Sequence, residues 1–320
     1  MRYFRAYPWA FQLLLFLLMM FTFLSGSRAI VLSVLTKMTG FTLEQLAAVG
    51  PASPAAMVSV AIWVQGILNL AIFFMPAYLF AYLSTPRPGE FLGLRKPGKS
   101  IQPLLVVLVM IGATPLFQGI ESIIGKINFG AAVKAEQEAN DNMMMAFLNI
   151  SSFASFIKIF VIMAIVPALG EEIFFRGVMM RFARQRSRNM VMPVIFTAVL
   201  FSLSHTNIYG YLSIFLAGVL LAVIYNVTGS LWCSILGHMS FNGLQVILMY
   251  ASTRNAGVKH FLEQSSTLYL MVAGGAVLFG VSFYLLLKNK TPLPANWSDN
   301  FTPEELEKEN WDLMSKNDDE

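Results

Sequence analysis

Long apolar runs dominate the chain, and their length suits a membrane. Eight stretches, 9–33, 56–83, 101–120, 153–182, 190–206, 208–226, 230–250 and 266–287, approach or exceed the roughly 20 apolar residues that carry a helix across the hydrocarbon layer. Only helices and closed barrels satisfy every backbone polar group in that layer, and unbroken runs of this length select helices. The pattern predicts an all-α, polytopic membrane protein with about eight transmembrane helices. The fifth to seventh runs are so tightly joined that their helices should pack as neighbours. No internal repeat is visible, which weighs against the duplicated architecture of many transporters.

The polar intervals add detail. Residues 121–150 carry a polar run from Glu136 to Asp141 and then Met143-Met144-Met145, which predicts an external amphipathic surface segment, with a lid as the alternative. In Phe301-Thr302-Pro303-Glu304-Glu305-Leu306, Thr302 reads as an N-cap, Pro303 as the first helical residue and Glu305 as the capping-box partner. Phe301 and Leu306 are spaced for a hydrophobic staple, so a short tail helix is expected. The chain divides into helices one to three with their loops (1–152), a core of helices four to seven (153–250), the last helix (251–287) and an acidic cytoplasmic tail (288–320).

Composition supports the membrane reading. Hydrophobic residues make up 56% of the chain and charged ones 12%, against about 25% charged in soluble domains. That is too few to coat a water-soluble fold, and it excludes disorder and a nucleic-acid-binding surface. The single cysteine, Cys233, removes any disulfide framework or cysteine-rich metal site. Alternate loops differ in charge. One side holds Arg2, Arg5, Arg87, Arg95, Lys96, Lys99, Arg181, Arg184, Arg186, Arg188, Lys288 and Lys290, and the other only Lys37, Lys126, Lys134, Arg254 and Lys259. By the positive-inside rule both termini are cytoplasmic, in what is expected to be a bacterial cytoplasmic membrane. The first run is expected to be an uncleaved helix rather than a signal peptide, being longer than an h-region and followed by no Ala-x-Ala.

Ionisable residues inside hydrocarbon cost several kcal/mol and persist mainly where they are paired or used. Here they concentrate in one region: Glu171, Glu172 and Arg176 in the fourth run, His205 at the end of the fifth and His238 in the seventh. Adjacent helical residues lie about 100° apart, so Glu171 and Glu172 cannot face one point. Arg176, four residues after Glu172, shares its face. A Glu172–Arg176 ion pair is therefore expected, leaving Glu171 to project elsewhere. Pro167 and Gly170 weaken the helix just ahead and permit a kink and close packing. His238 and Asn242, four apart, share one face. Helical rise places Glu171 ~16 Å, His205 ~22 Å and His238 ~12 Å from the cytoplasmic ends of their helices, so with some tilt they can meet at one level reachable from that side. A glutamate, two histidines and an asparagine converging there could activate water and stabilise an oxyanion. Glu171, His205 and His238 are equally candidate ligands for a divalent metal such as zinc.

Glu171-Glu172-x-x-x-Arg176, Phe201-x-x-x-His205 and His238-x-x-x-Asn242 resemble the three motifs of the CPBP intramembrane proteases. That family groups type II CAAX prenyl endopeptidases with bacterial Abi proteins linked to bacteriocin processing and self-immunity. Each motif alone is weak; all three, in order and within 72 residues, are specific. The resemblance covers about 155–250. It implies an intramembrane endopeptidase, glutamate-type or metal-dependent, in which Glu171 and His205 activate water. His238 and Asn242 would stabilise the tetrahedral intermediate, with Glu172 and Arg176 as support. The implied partners are a peptide or protein substrate, lipidated or not, and the bilayer. Two other classes remain open from the residues: a proton-coupled transporter using the same intramembrane groups, and a non-catalytic scaffold or immunity protein.

Overall fold

The computed structural model describes residues 3–150 and 152–301, and its regular elements are helical throughout. Seven helices among the described residues are long and apolar enough to cross a membrane: α1 (Trp9–Thr39), α2 (Ala55–Ser84), α3 (Gln102–Ile124), α5 (Phe153–Arg184), α7 (Tyr211–Thr228), α8 (Leu231–Arg254) and α10 (Ser266–Lys288). Between them lie α4 (Ala131–Phe147), α6 (Val191–Leu203) and α9 (Ala256–Glu263). The all-α polytopic architecture is as the hydrophobic pattern predicts.

The fifth predicted run differs. Its helix, α6, has 13 residues, a rise of about 20 Å against the ~30 Å of hydrocarbon. Ser204 Oγ donates to the Phe201 carbonyl at 2.7 Å, and His205 Nδ1 meets the same carbonyl at 2.8 Å. Such local side-chain bonds compete with the helical ladder and help end it. His205 therefore sits on the loop into α7 and not on the helix. The 121–150 interval also has more structure than a loop: it contains α4, whose Ala146 and Phe147 are buried in a cluster with Ile62, Ile159 and Val246. The predicted cap at Thr302–Leu306 lies outside the described residues. The stretch before it packs back on the bundle, with Thr291 N–H on the Val227 carbonyl (2.7 Å), Gln185 Nε2 on the Ser298 carbonyl (2.6 Å) and Trp297 buried.

Alternate helix ends gather on one face. Trp9 Nε1 donates to the Phe182 carbonyl (3.1 Å), Leu231 N–H to the Gly93 carbonyl (2.8 Å) and Gln102 Nε2 to the Asn289 carbonyl (2.8 Å). This joins the start of α1, the segment after α2, the starts of α3 and α8 and the ends of α5 and α10. It is the face that carries the larger set of basic residues.

Close approach between helices relies on small residues, as it must where lipid supplies no hydrophobic drive for helices to associate. A Cβ on Gly112 would lie 2.6 Å from the Phe279 nitrogen and one on Gly275 2.7 Å from the Gly112 oxygen, so α3 and α10 touch through their backbones. The wider turns matter more for the site. α2 opens into a π turn at Leu70–Phe74 and α5 at Val161–Ile165 and Ile173–Met179. The first two run into Pro76 and Pro167, which lack an N–H and crowd the carbonyl four residues back. Asn69 and Glu172 are the residues immediately ahead of the first and third of these turns.

If the basic face is cytoplasmic, reporter fusions at residues 90, 185 and 290 read inside and those at 45, 135 and 257 read outside. An outside reading at 185 would invert the orientation.

Candidate active site

α5 brings its glutamates to the middle of the bundle and turns them apart, as the 100° step requires. Glu172 faces inward and is fully buried with Arg176. Its Oε1 accepts from Arg176 Nη1 at 2.7 Å and from His238 Nδ1 at 3.0 Å, and its Oε2 accepts from Ser234 Oγ at 2.6 Å. The expected ion pair is present, but Glu172 also holds His238 directly, one turn of α8 after Ser234. A carboxylate that already accepts three bonds leaves Nδ1 the donor, so Nε2 is the atom His238 offers to its surroundings. Arg176 Nη2 donates to the Gly218 carbonyl at 2.8 Å, tying α7 to the same network.

Phe201 joins the two histidines. Its ring centroid lies 4.9 Å from that of His205 and 5.7 Å from that of His238, and the Arg176 guanidinium carbon lies 4.8 Å from it. With His205 Nδ1 on the Phe201 carbonyl, an acceptor only, its Nε2 is bare and able to take a proton. The His205 loop is pinned further along, where Asn207 Nδ2 donates to Glu121 Oε1 at 2.9 Å. Asn242, one turn beyond His238, donates from Nδ2 to the Met163 carbonyl at 3.2 Å. Pro167 has no N–H to give that carbonyl, so the proline leaves an acceptor for α8.

Glu171 points the other way, towards α2. It is 6% exposed, and its Oε1 accepts from Asn69 Nδ2 at 2.8 Å. Its Oε2 is buried with no hydrogen-bond partner among the described residues. Glu171 therefore has a partner that the local sequence did not reveal. Ser234 was also missed. The available signal was polarity inside an apolar run, Asn69 in Ile67-Leu68-Asn69-Leu70 and Ser234 in Cys233-Ser234-Ile235, which a search confined to ionisable residues passes over.

Glu171, His205 and His238 are not drawn together as metal ligands. Among the described residues no three His, Cys, Asp or Glu side chains are grouped so that they could hold a metal ion. Glu171 is engaged from α2, and His205 comes from a loop beyond α6. The donor set as placed does not fit the metal site expected from the sequence.

One face of α8 continues outward from the site through His238, Asn242, Gln245, Met249 and Ser252, spaced three or four apart. The last three line a cavity of about 710 Å³, together with Gln118, Leu268 and Met271. It lies at the end of the bundle opposite the basic face, not at the cytoplasmic side from which the depth estimate expected access.

Removing one member of a buried ion pair costs about 3–5 kcal/mol, because the other charge is stranded. Glu172→Gln should therefore lower the melting temperature in detergent markedly. Glu171→Gln, whose amide oxygen still accepts from Asn69, should melt near the wild type. The reverse order would show that the two glutamates have been assigned to the wrong faces.

Comparison with known proteins agrees with the motifs. YdiL of Bacillus subtilis (strain 168), named provisionally as a membrane peptidase, is 27% identical over 118 residues, which are 37% of this chain and 46% of that protein. The chain thus spans a little under half the length of the curated relative it matches. No solved structure matches the chain. Residues 153–244, which hold Glu171, Glu172, Arg176, Phe201, His205, His238 and Asn242, match the family model of the Rce1-like type II CAAX prenyl endopeptidases.

Proposed function

We propose that the protein is an intramembrane endopeptidase that hydrolyses a peptide bond with a water activated by Glu171 and His205. The observation that carries this reading is the buried Glu171 carboxylate, one oxygen of which has no hydrogen-bond partner among the described residues. A carboxylate kept from water is costly unless it is used. In the proposed reaction the water oxygen bonds to the scissile carbonyl carbon while its proton passes to Glu171 or to the bare Nε2 of His205. The oxyanion is held by the amide of Asn242 and by Nε2 of His238. To donate there His238 must carry a proton on Nε2 as well as the one on the Nδ1 that Glu172 holds. Collapse breaks the carbon–nitrogen bond, and the proton taken from water goes to the leaving amine. Glu172 and Arg176 act by position, through His238 and through the α5–α7 contact.

The substrate proposed is a peptide or membrane-protein segment, with a lipidated peptide as the class that the family likeness favours. The bilayer is its environment, and the site has no role for nucleic acid.

The test is a substrate trap. Glu171→Gln, expressed in cells in place of the wild type, should retain a membrane-protein or peptide partner, identified by mass. The purified wild type should cut it at one bond, and His205→Ala and His238→Ala should leave it intact. Asn242→Ala should lose about 10²–10³ in turnover, the usual cost of one oxyanion donor. A proton flux in liposomes that needs the same residues, with the trapped partner never cut, would overturn the reading.

A further inference from the structure

We propose that Asn69, on α2, belongs to the reactive site. Its amide N–H orients Glu171, and its carbonyl oxygen acts with Glu171 Oε2 to hold the attacking water. The inference rests on the hydrolytic reading above and extends it to a helix outside both the three motifs and the matched segment 153–244. Asn69 Nδ2 donates to Glu171 Oε1 at 2.8 Å. The two oxygens left over, Asn69 Oδ1 and Glu171 Oε2, are both buried and have no partner among the described residues. Each is one carbon away from an atom of the bond that joins the two residues, so both lie at the same junction.

A pair kept only to fasten α2 to α5 would not need to bury two further acceptors without a donor, because unsatisfied buried acceptors are costly. Two acceptors call for a group that donates twice, and water is the smallest that does. Glu171 Oε2 would take the proton, while Asn69, neutral throughout, would fix the direction of the oxygen lone pair towards the carbonyl carbon. The backbone is fitted to this pairing. Asn69 ends the α-helical part of α2 before the π turn at Leu70–Phe74. On the facing helix Gly170 leaves the room, since a Cβ there would stand 3.0 Å from Asn69 Oδ1.

The experiment uses the full chain in detergent and an internally quenched fluorogenic peptide, drawn from a degenerate library by its cleavage with the wild-type protein. Asn69→Leu removes donor and acceptor at similar volume, Asn69→Asp replaces the donor with a second acceptor that can carry charge, and Asn69→Ser keeps both on a shorter arm. For Asn69→Leu and Asn69→Asp the expected result is a kcat about 10²-fold lower, within the range of a displaced general base, with KM within about twofold of wild type. Asn69→Ser should fall between these and the wild type. Wild-type kcat in folded Asn69→Leu or Asn69→Asp would overturn the proposal. So would a lowered melting temperature with unchanged turnover per folded molecule, which would make Asn69 a helix fastener. Glu171→Gln separates the two levels. If it still cuts the peptide, the hydrolytic reading itself fails; if it is silent while Asn69→Leu is active, only the role of Asn69 fails.

Discussion

The Glu172 carboxylate is the constraint on which the site depends. It is wholly buried, and it is tolerable there because Arg176, His238 and Ser234 all donate to it. A charge in hydrocarbon without partners would be expelled or neutralised, and a charge with three partners fixes the positions of all of them. Through Arg176 the network reaches the Gly218 carbonyl on α7, and through His238 and Ser234 it reaches α8. Three helices are thereby held in one rotational setting. That setting sends Glu171, one residue earlier on α5, to the other side of the helix to meet α2.

Proline and glycine do much of the remaining work. Pro167, just past the π turn at Val161–Ile165, leaves the Met163 carbonyl for Asn242. Gly170 lets α2 come close enough for Asn69 to reach Glu171. Both residues would be poor choices in a water-soluble helix. In a membrane bundle the freed backbone groups are recovered by neighbouring helices, and close approach brings van der Waals contact. Phe201 packs both histidines and the Arg176 guanidinium around one ring.

Much of this could be read from the sequence, because the membrane makes exceptions conspicuous. Apolar run length gave the spanning helices, and the confinement of Glu171, Glu172, Arg176, His205 and His238 to three runs singled out the candidate site. The i, i+4 spacing foretold the Glu172–Arg176 pair. What escaped depended on contacts between distant segments. Asn69 meets Glu171 across 102 positions and His238 meets Glu172 across 66, and no local periodicity encodes either. The early end of α6 escaped for another reason: hydropathy carries the run on to residue 206, whereas the helix stops at Leu203, where the Ser204 and His205 side chains both turn back to the Phe201 carbonyl. The metal set was a reading of residue types, and among the described residues those side chains are not grouped.

The central claim is that Glu172 fixes the tautomer and direction of His238, and nitrogen NMR of histidine-labelled protein tests it directly. The chain has three histidines, His205, His238 and His260, so His238 can be assigned by its loss in His238→Ala. At a pH where the ring is neutral, the wild type should show His238 as a single Nδ1–H tautomer with a bare Nε2. In Glu172→Gln that preference should collapse towards a mixture of tautomers. A His238 that is Nε2–H in the wild type, or one whose spectrum is the same with and without the Glu172 carboxylate, would contradict the account.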